Sequence, residues 1–216
     1  MNQNSSEQMK YIEITQAGGP EVLKVVQGKK PEIKEDQVLI EVYATGINRP
    51  DILQRQGLYP MPKGVTQIPG LEVAGIISKI GSKVEKFKVG DKVCALTNGG
   101  GYAEYCAVPA NQTLVIPKNL SFIEAAAIPE TYFTVWANLF QIGQLKKNET
   151  VLIHGGASGI GSTALSLCHA MGIQTFSTVG SEEKVEKLSS ISTVINYKTQ
   201  NFEQEILSLT DQQGVD

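Results

Sequence analysis

The run Thr150-Val151-Leu152-Ile153-His154 is followed at once by Gly155-Gly156-Ala157-Ser158-Gly159-Ile160-Gly161. The first five residues read as a short apolar strand. Ser162 to Met171 then reads as a helix, with Ala164, Leu165, Leu167, Cys168 and Met171 on its apolar side. Gly172 closes that helix, and Ile173 to Val179 is a second strand. Strand, glycine turn, helix and strand make up the first unit of a dinucleotide-binding domain. Gly156 is expected to take the tight turn that leaves the strand. Small residues at Ser158 and Gly159 let the backbone approach a pyrophosphate, and Gly161 lets helix and strand pack closely. The helix N-terminus offers free N–H groups and a positive dipole end, and Ile160, just before it, is counted with the glycines as cofactor-binding. The middle glycine of G-x-G-x-x-G is replaced here by Ser158, with Gly159 beside it.

The tip of the second strand bears on which nicotinamide is bound. NAD-specific domains place an Asp or Glu there to accept from the ribose 2′-hydroxyl. This chain reads Thr178-Val179-Gly180-Ser181, with no acid at the tip. The absent carboxylate removes the repulsion that would exclude a 2′-phosphate, Ser181 can donate to that phosphate, and Lys184 lies one helical turn on as a point charge. Gly180, Ser181 and Lys184 therefore predict NADPH over NADH. Glu182 and Glu183 weigh the other way by adding negative charge.

The 216 residues carry a net charge of −3 and are 41% hydrophobic. That balance suits a globular core and gives no nucleic-acid footprint. No apolar run approaches the roughly 20 residues of a membrane helix. Residues 1–8 are polar, lack a signal peptide's apolar stretch and are expected to be a disordered tail. Cys94, Cys106 and Cys168 are far apart and read as core thiols of a reducing compartment.

The first half is β-rich. Met9–Thr15, Val22–Val26, Val38–Thr45, Glu72–Ile80, Lys92–Leu96 and Tyr102–Val108 are expected strands with turn signals between them, as in a small barrel. Gly46 to Pro69 reads as an irregular insert that carries Asn48, Asp51 and Tyr59. Ser121-Phe122-Ile123-Glu124 is a capping box that starts a helix through Ile128. Pro129 is expected to end it, and a second helix to run from Thr131 to Phe140.

Several motifs then fall in one order: Asn48-Arg49-Pro50-Asp51, Gly70-Leu71-Glu72-Val73-Ala74-Gly75, Gly101-Tyr102-Ala103-Glu104-Tyr105, Ala126-Ala127-Ile128-Pro129-Glu130 and Val194-Ile195-Asn196-Tyr197. Together they resemble the zinc-free quinone oxidoreductases of the medium-chain dehydrogenase/reductase superfamily. Gln54-Arg55-Gln56-Gly57 and Tyr59 are most similar to the tumour-suppressor-inducible branch. The resemblance implies an α/β chain: a GroES-like β-barrel over residues 9–125, then a Rossmann doubly wound parallel sheet over 126–216. After Thr193–Asn196 and a helix from Phe202 to Thr210, the chain reaches Asp216 where a further strand is expected. The Rossmann half therefore reads as C-terminally truncated, and the 216-residue chain alone is expected to be unstable or inactive.

The resemblance also implies roles. Asn48 and Tyr59 would hold the quinone oxygens, Thr134 would lie near the nicotinamide, and Tyr197 near the adenine end. Asp51 reads as structural or cofactor-facing, since a carboxylate there would repel a reduced quinone. Many relatives have a second tyrosine where Leu53 stands. Zinc alcohol dehydrogenases of the superfamily have Cys where this chain has Asn48, and Gly-His-Glu where it has Gly70-Leu71-Glu72, so no metal site is expected. A quinone is electrophilic enough to be reduced without a Lewis acid. The resemblance further implies a cytoplasmic homodimer at full length. Two alternatives stand beside this reading: a zinc-free enoyl-thioester reductase with Tyr59 as proton donor, and an inactive fragment that binds nucleotide weakly. A short-chain dehydrogenase does not fit. Tyr59 and Lys63 mimic its Tyr-x-x-x-Lys, but they precede the glycine turn and enclose two prolines that forbid a regular helix.

Overall fold

The computed structural model describes residues 7–216 and divides into two compact units, with the division between Glu130 and Thr131. Of the expected tail, residues 1–6 lie outside the described residues. Gln8 corrects the remainder, because it opens a strand.

In the first unit, β1 (Gln8–Ile14) and β2 (Leu23–Lys29) form an antiparallel ribbon, from Gln8 opposite Lys29 to Ile14 opposite Leu23. β3 (Gln37–Thr45), β4 (Glu72–Ile80), β5 (Lys92–Leu96), β6 (Tyr105–Pro109) and β7 (Thr113–Val115) build a five-stranded antiparallel sheet in the order β6-β3-β4-β5-β7. An isolated bridge from Tyr11 to Ala103 ties ribbon to sheet. Val38, Ile40, Val73, Ile77, Val93 and Val108 fill the interior of the curled sheet. Each such side chain contributes about 1.5–3 kcal/mol when fully buried. Register shifts in β3 between Leu39 and Ile40 and between Val42 and Ala44 break its simple alternation, so Leu39 is buried as well as its neighbours.

Several expected bounds move. The strand expected from Tyr102 begins at Tyr105, because Tyr102 and Glu104 use their backbones to reach the ribbon at Ile12 and Lys10. The insert expected to be irregular contains helix α1 (Arg49–Arg55). Pro50 lies in its first turn, where the missing N–H would have had no intrahelical acceptor. The Ser121 capping box forms, but its helix α2 (Phe122–Ala125) stops short of Ile128. Pro129 begins α3 (Pro129–Val135) rather than ending a helix, for the same reason that Pro50 is tolerated. Beyond it, Trp136–Ile142 is a π-helical turn, not the continuation of an α-helix to Phe140.

In the second unit, β8 (Thr150–His154) is followed by α4 (Gly159–Ala170), β9 (Gln174–Val179), α5 (Glu182–Leu188), β10 (Thr193–Asn196) and α6 (Phe202–Leu209). The three strands pair in parallel in the order β10-β9-β8, the third-second-first arrangement of one nucleotide-binding half. β9 is central and buried from Thr175 to Val179, and its buried polar side chains find partners. Thr175 donates to the Ile191 carbonyl at 3.3 Å, Ser192 donates to Ser177 at 3.1 Å, and Thr178 bonds His154 Nδ1 at 3.0 Å. Asp216 lies against the start of β8, its N–H donating to the Thr150 carbonyl and its carboxylate accepting the Thr150 N–H at 2.8 Å.

Candidate active site

Each unit carries half of the chemistry expected from the sequence. In the first, Asn48 is the N-cap of α1, and its backbone N–H donates to Asp51 Oδ2 at 2.8 Å. Asp51 is 5% exposed. It also accepts the Gly70 N–H at 3.1 Å and the Tyr102 hydroxyl at 3.0 Å. Its carboxylate thus knots α1 to the strand entrance at Gly70 and to Tyr102. Burial holds the Tyr102 phenol well above its ordinary range, and the adjacent Asp51 charge adds to that.

The Asn48 side chain points elsewhere. Its Nδ2 donates to Glu72 Oε1 at 2.8 Å, and Glu72 Oε2 accepts the Glu130 N–H at 2.9 Å. Glu72 opens β4 and is 3% exposed. Burial pushes its carboxyl above the ordinary 4.5, against the pull of those two N–H donors. Tyr59, in contrast, lies on the exposed loop beyond α1, 42% exposed. An apolar groove of about 360 Å³, lined by Ile12, Val42, Tyr43, Ile47 and Tyr102 among others, opens beside the cluster.

Sequence reasoning singled out Asn48 and Asp51 but missed Glu72 and Tyr102 as partners. The available signal was a lone acid at the head of the apolar run Val73-Ala74-Gly75-Ile76-Ile77. Such an acid is buried with the strand and must be hydrogen-bonded.

In the second unit the cradle is built at the β8–α4 turn. Gly155, not Gly156, takes the left-handed conformation, with φ of 68°. Gly156 instead packs on β9, its N–H donating to the Thr178 carbonyl at 3.0 Å. At Gly161 a Cβ would run into the Gly155 carbonyl oxygen, so only glycine lets the helix sit this close to the turn. The helix begins three residues earlier than expected, because Ser158 caps it: Ser158 Oγ accepts the Gly161 N–H at 3.0 Å. The N–H groups of Gly159 and Ile160 have no intrahelical acceptor.

At the β9 tip, Gly180 and Tyr197 meet: a Cβ on Gly180 would come within 2.6 Å of the Tyr197 hydroxyl. Ser181 is the N-cap of α5, and its side chain makes no capping bond. The nearby acids are engaged. Glu182 accepts from Asn196 Nδ2, and Glu183 pairs with Lys187 at 2.7 Å. Lys184 is exposed on the same helix. Thr134 lies inside α3, its carbonyl accepting from Asn138 Nδ2 at 2.8 Å. His154 packs edge-on against Phe202 at 5.0 Å between ring centres. Among the described residues no group of three or more His, Cys, Asp or Glu side chains could hold a metal ion. Among the same residues no helix is long and apolar enough to cross a membrane.

Comparison with known proteins agrees with this architecture. Residues 34–118 match the alcohol dehydrogenase GroES-like domain. The chain is 36% identical over 212 residues to the quinone oxidoreductase of Rattus norvegicus, which covers 96% of this chain and 64% of the rat protein. It is 31% identical to the crystal structure of Escherichia coli quinone oxidoreductase complexed with NADPH, with a TM-score of 0.78 over 95% of this chain and 64% of that one. The chain belongs to the zinc-free quinone oxidoreductase family of the medium-chain dehydrogenase/reductase superfamily. The likeness extends to the CurK enoyl reductase, 31% identical with a TM-score of 0.86 over 97% of this chain and 66% of that one. Against the rat quinone oxidoreductase of its own family, the chain spans 64% of the relative's length.

Proposed function

We propose that the full-length protein is an NADPH:quinone oxidoreductase that works without metal. The fit of the dinucleotide rests on the cradle. Gly161 lets the start of α4 pack against the turn, where a Cβ would meet the Gly155 carbonyl, and the Gly159 and Ile160 N–H groups there have no intrahelical acceptor. The observation that carries the preference for NADPH is the β9 tip: Gly180-Ser181 brings no acid, and Glu182 and Glu183 are each bonded to another side chain. Gly156, Ser158, Gly159, Ile160 and Gly161 would hold the pyrophosphate. Gly180, Ser181 and Lys184 would receive the 2′-phosphate, with Tyr197 at the adenine end. In this reading residues 9–125 are the catalytic barrel and 126–216 the nucleotide domain, with Thr134 toward the nicotinamide.

NADPH bound there supplies a hydride. A quinone accepts it without a Lewis acid, because its reduced form is aromatic. What remains for the chain is to bind, orient and offer hydrogen bonds to the quinone oxygens. Asn48 and Tyr59 are assigned that task. Asp51, already bonded by three protein donors, positions α1 and through it Asn48. The groove lined by Tyr43, Ile47 and Tyr102 offers an apolar surface to a flat ring.

An enoyl-thioester reductase is the second reading, favoured by the likeness to CurK enoyl reductase. It would use Tyr59 as the proton donor. Product analysis decides between them: the quinone reading expects hydroquinone from a quinone, with no saturated acyl product from a 2-enoyl thioester under the same conditions. Saturated thioester formed faster than hydroquinone overturns it.

A further inference from the structure

We propose that Glu72 is a positioning residue that fixes which way the Asn48 amide faces. The inference rests on the reading above, in which Asn48 meets the substrate.

The amide of asparagine presents a donor on one side and an acceptor on the other. Either face can meet a ligand unless a neighbour fixes it. Glu72 is that neighbour, and its two oxygens are both in use. Oε1 accepts from Asn48 Nδ2 at 2.8 Å and Oε2 accepts the Glu130 N–H at 2.9 Å. A carboxylate only accepts, so Nδ2 must face it. The Asn48 carbonyl oxygen faces the Asp51 N–H in the capping box of α1. The second Nδ2 hydrogen is left to donate to a quinone oxygen.

Glu72 itself cannot swing away. It is 3% exposed, and Gly46 opposite it has no room for a Cβ because the Glu72 carboxylate fills that space. Asn48 is also held from its other end, as the N-cap whose N–H is taken by Asp51. The side chain is therefore locked at the backbone by one carboxylate and at the amide by another. Pre-orientation of this kind lowers the entropy lost on binding and counts fully in the transition state.

Glu72→Gln tests this, since it keeps the volume but puts a donor where one acceptor stood. The Glu130 N–H still needs an acceptor, so the introduced amide nitrogen faces Asn48 and turns its amide over. Two readouts are needed on the full-length protein. Side-chain amide resonances of ¹⁵N-labelled protein, assigned with Asn48→Ala, report orientation: a bonded Asn48 Nδ2 proton shifted downfield is expected in the wild type and lost in Glu72→Gln. A double-mutant cycle reports function: Glu72→Gln should lower kcat with a quinone by about tenfold or more, with NADPH affinity unchanged. In an Asn48→Ala background the same change should add less than about twofold.

A merely structural role predicts additive losses in the cycle, and that result overturns the proposal, as does an unmoved Asn48 resonance. Should the wild type reduce no quinone at all, the functional reading falls and the amide resonance alone decides whether Glu72 orients Asn48. If Glu72→Gln unfolds, Glu72→Asp replaces it. The shorter acid still only accepts but sits farther back, so the downfield resonance should weaken without the amide turning over.

Discussion

In the proposed function, cofactor choice turns on Lys184. It is exposed on α5, while its neighbour Glu183 is paired with Lys187. Lys184→Glu should lower NADPH affinity relative to NADH by about ten- to a hundredfold, the worth of a charge-assisted contact. Fluorescence titration of both nucleotides checks this, and an unchanged ratio removes Lys184 and Ser181 from the site. Burial of Glu72 gives a second expectation. Its folded-state carboxyl is raised above 4.5, so the folded chain binds the proton more tightly than the unfolded one. Stability contributed by that group is then full below 4.5 and declines as pH rises through the raised value. Thermal unfolding across that window should show a fall that Glu72→Gln removes. Cys94 and Cys106, each pushed up to about 11 by burial, and the buried Cys168 should resist a thiol reagent at pH 8. All three should react after denaturation; a cysteine labelled at once in the native protein is not a core residue.

At the scale of elements, the cradle makes the sharpest demand on sequence. Gly161→Ala places a methyl against the Gly155 carbonyl, and the turn must open to admit it. The expected loss is about 1–3 kcal/mol of stability in urea denaturation, together with weakened nucleotide binding. Stability unchanged within error would mean that the close approach is not required. Much of this was legible in the chain. β4, β5 and β8 have the expected limits, because their apolar runs are bounded by glycine and turn residues on both sides. The misread elements have separate causes. Pro129 is expected to end a helix, yet it begins α3, because a proline in the first turn of a helix forfeits no bond. The π-helical turn at Trp136–Ile142 closes with Gly143 N–H donating to the Asn138 carbonyl, five residues back, and no side-chain pattern announces that spacing. The site divides in the same way. The glycine cradle is contiguous and could be read directly. The bond from Asn48 to Glu72 spans 24 residues, and Tyr102 reaches Asp51 across 51, so neither could be seen before the strands were paired.

At the scale of the molecule, the proposed reaction draws one part from each unit. The barrel unit holds the oriented amide, the buried carboxylates and an apolar groove. The parallel-sheet unit holds the glycine cradle and an acid-free strand tip. In the proposed function the full-length protein passes hydride from NADPH to a quinone with no metal. The most direct test is the quinone-dependent rate of NADPH oxidation, measured before and after exhaustive dialysis against a chelator. The same rate is expected in both and, at equal low concentration, a rate with NADH at least about tenfold lower. A rate abolished by chelation, or NADPH oxidation that quinone does not stimulate, would contradict it.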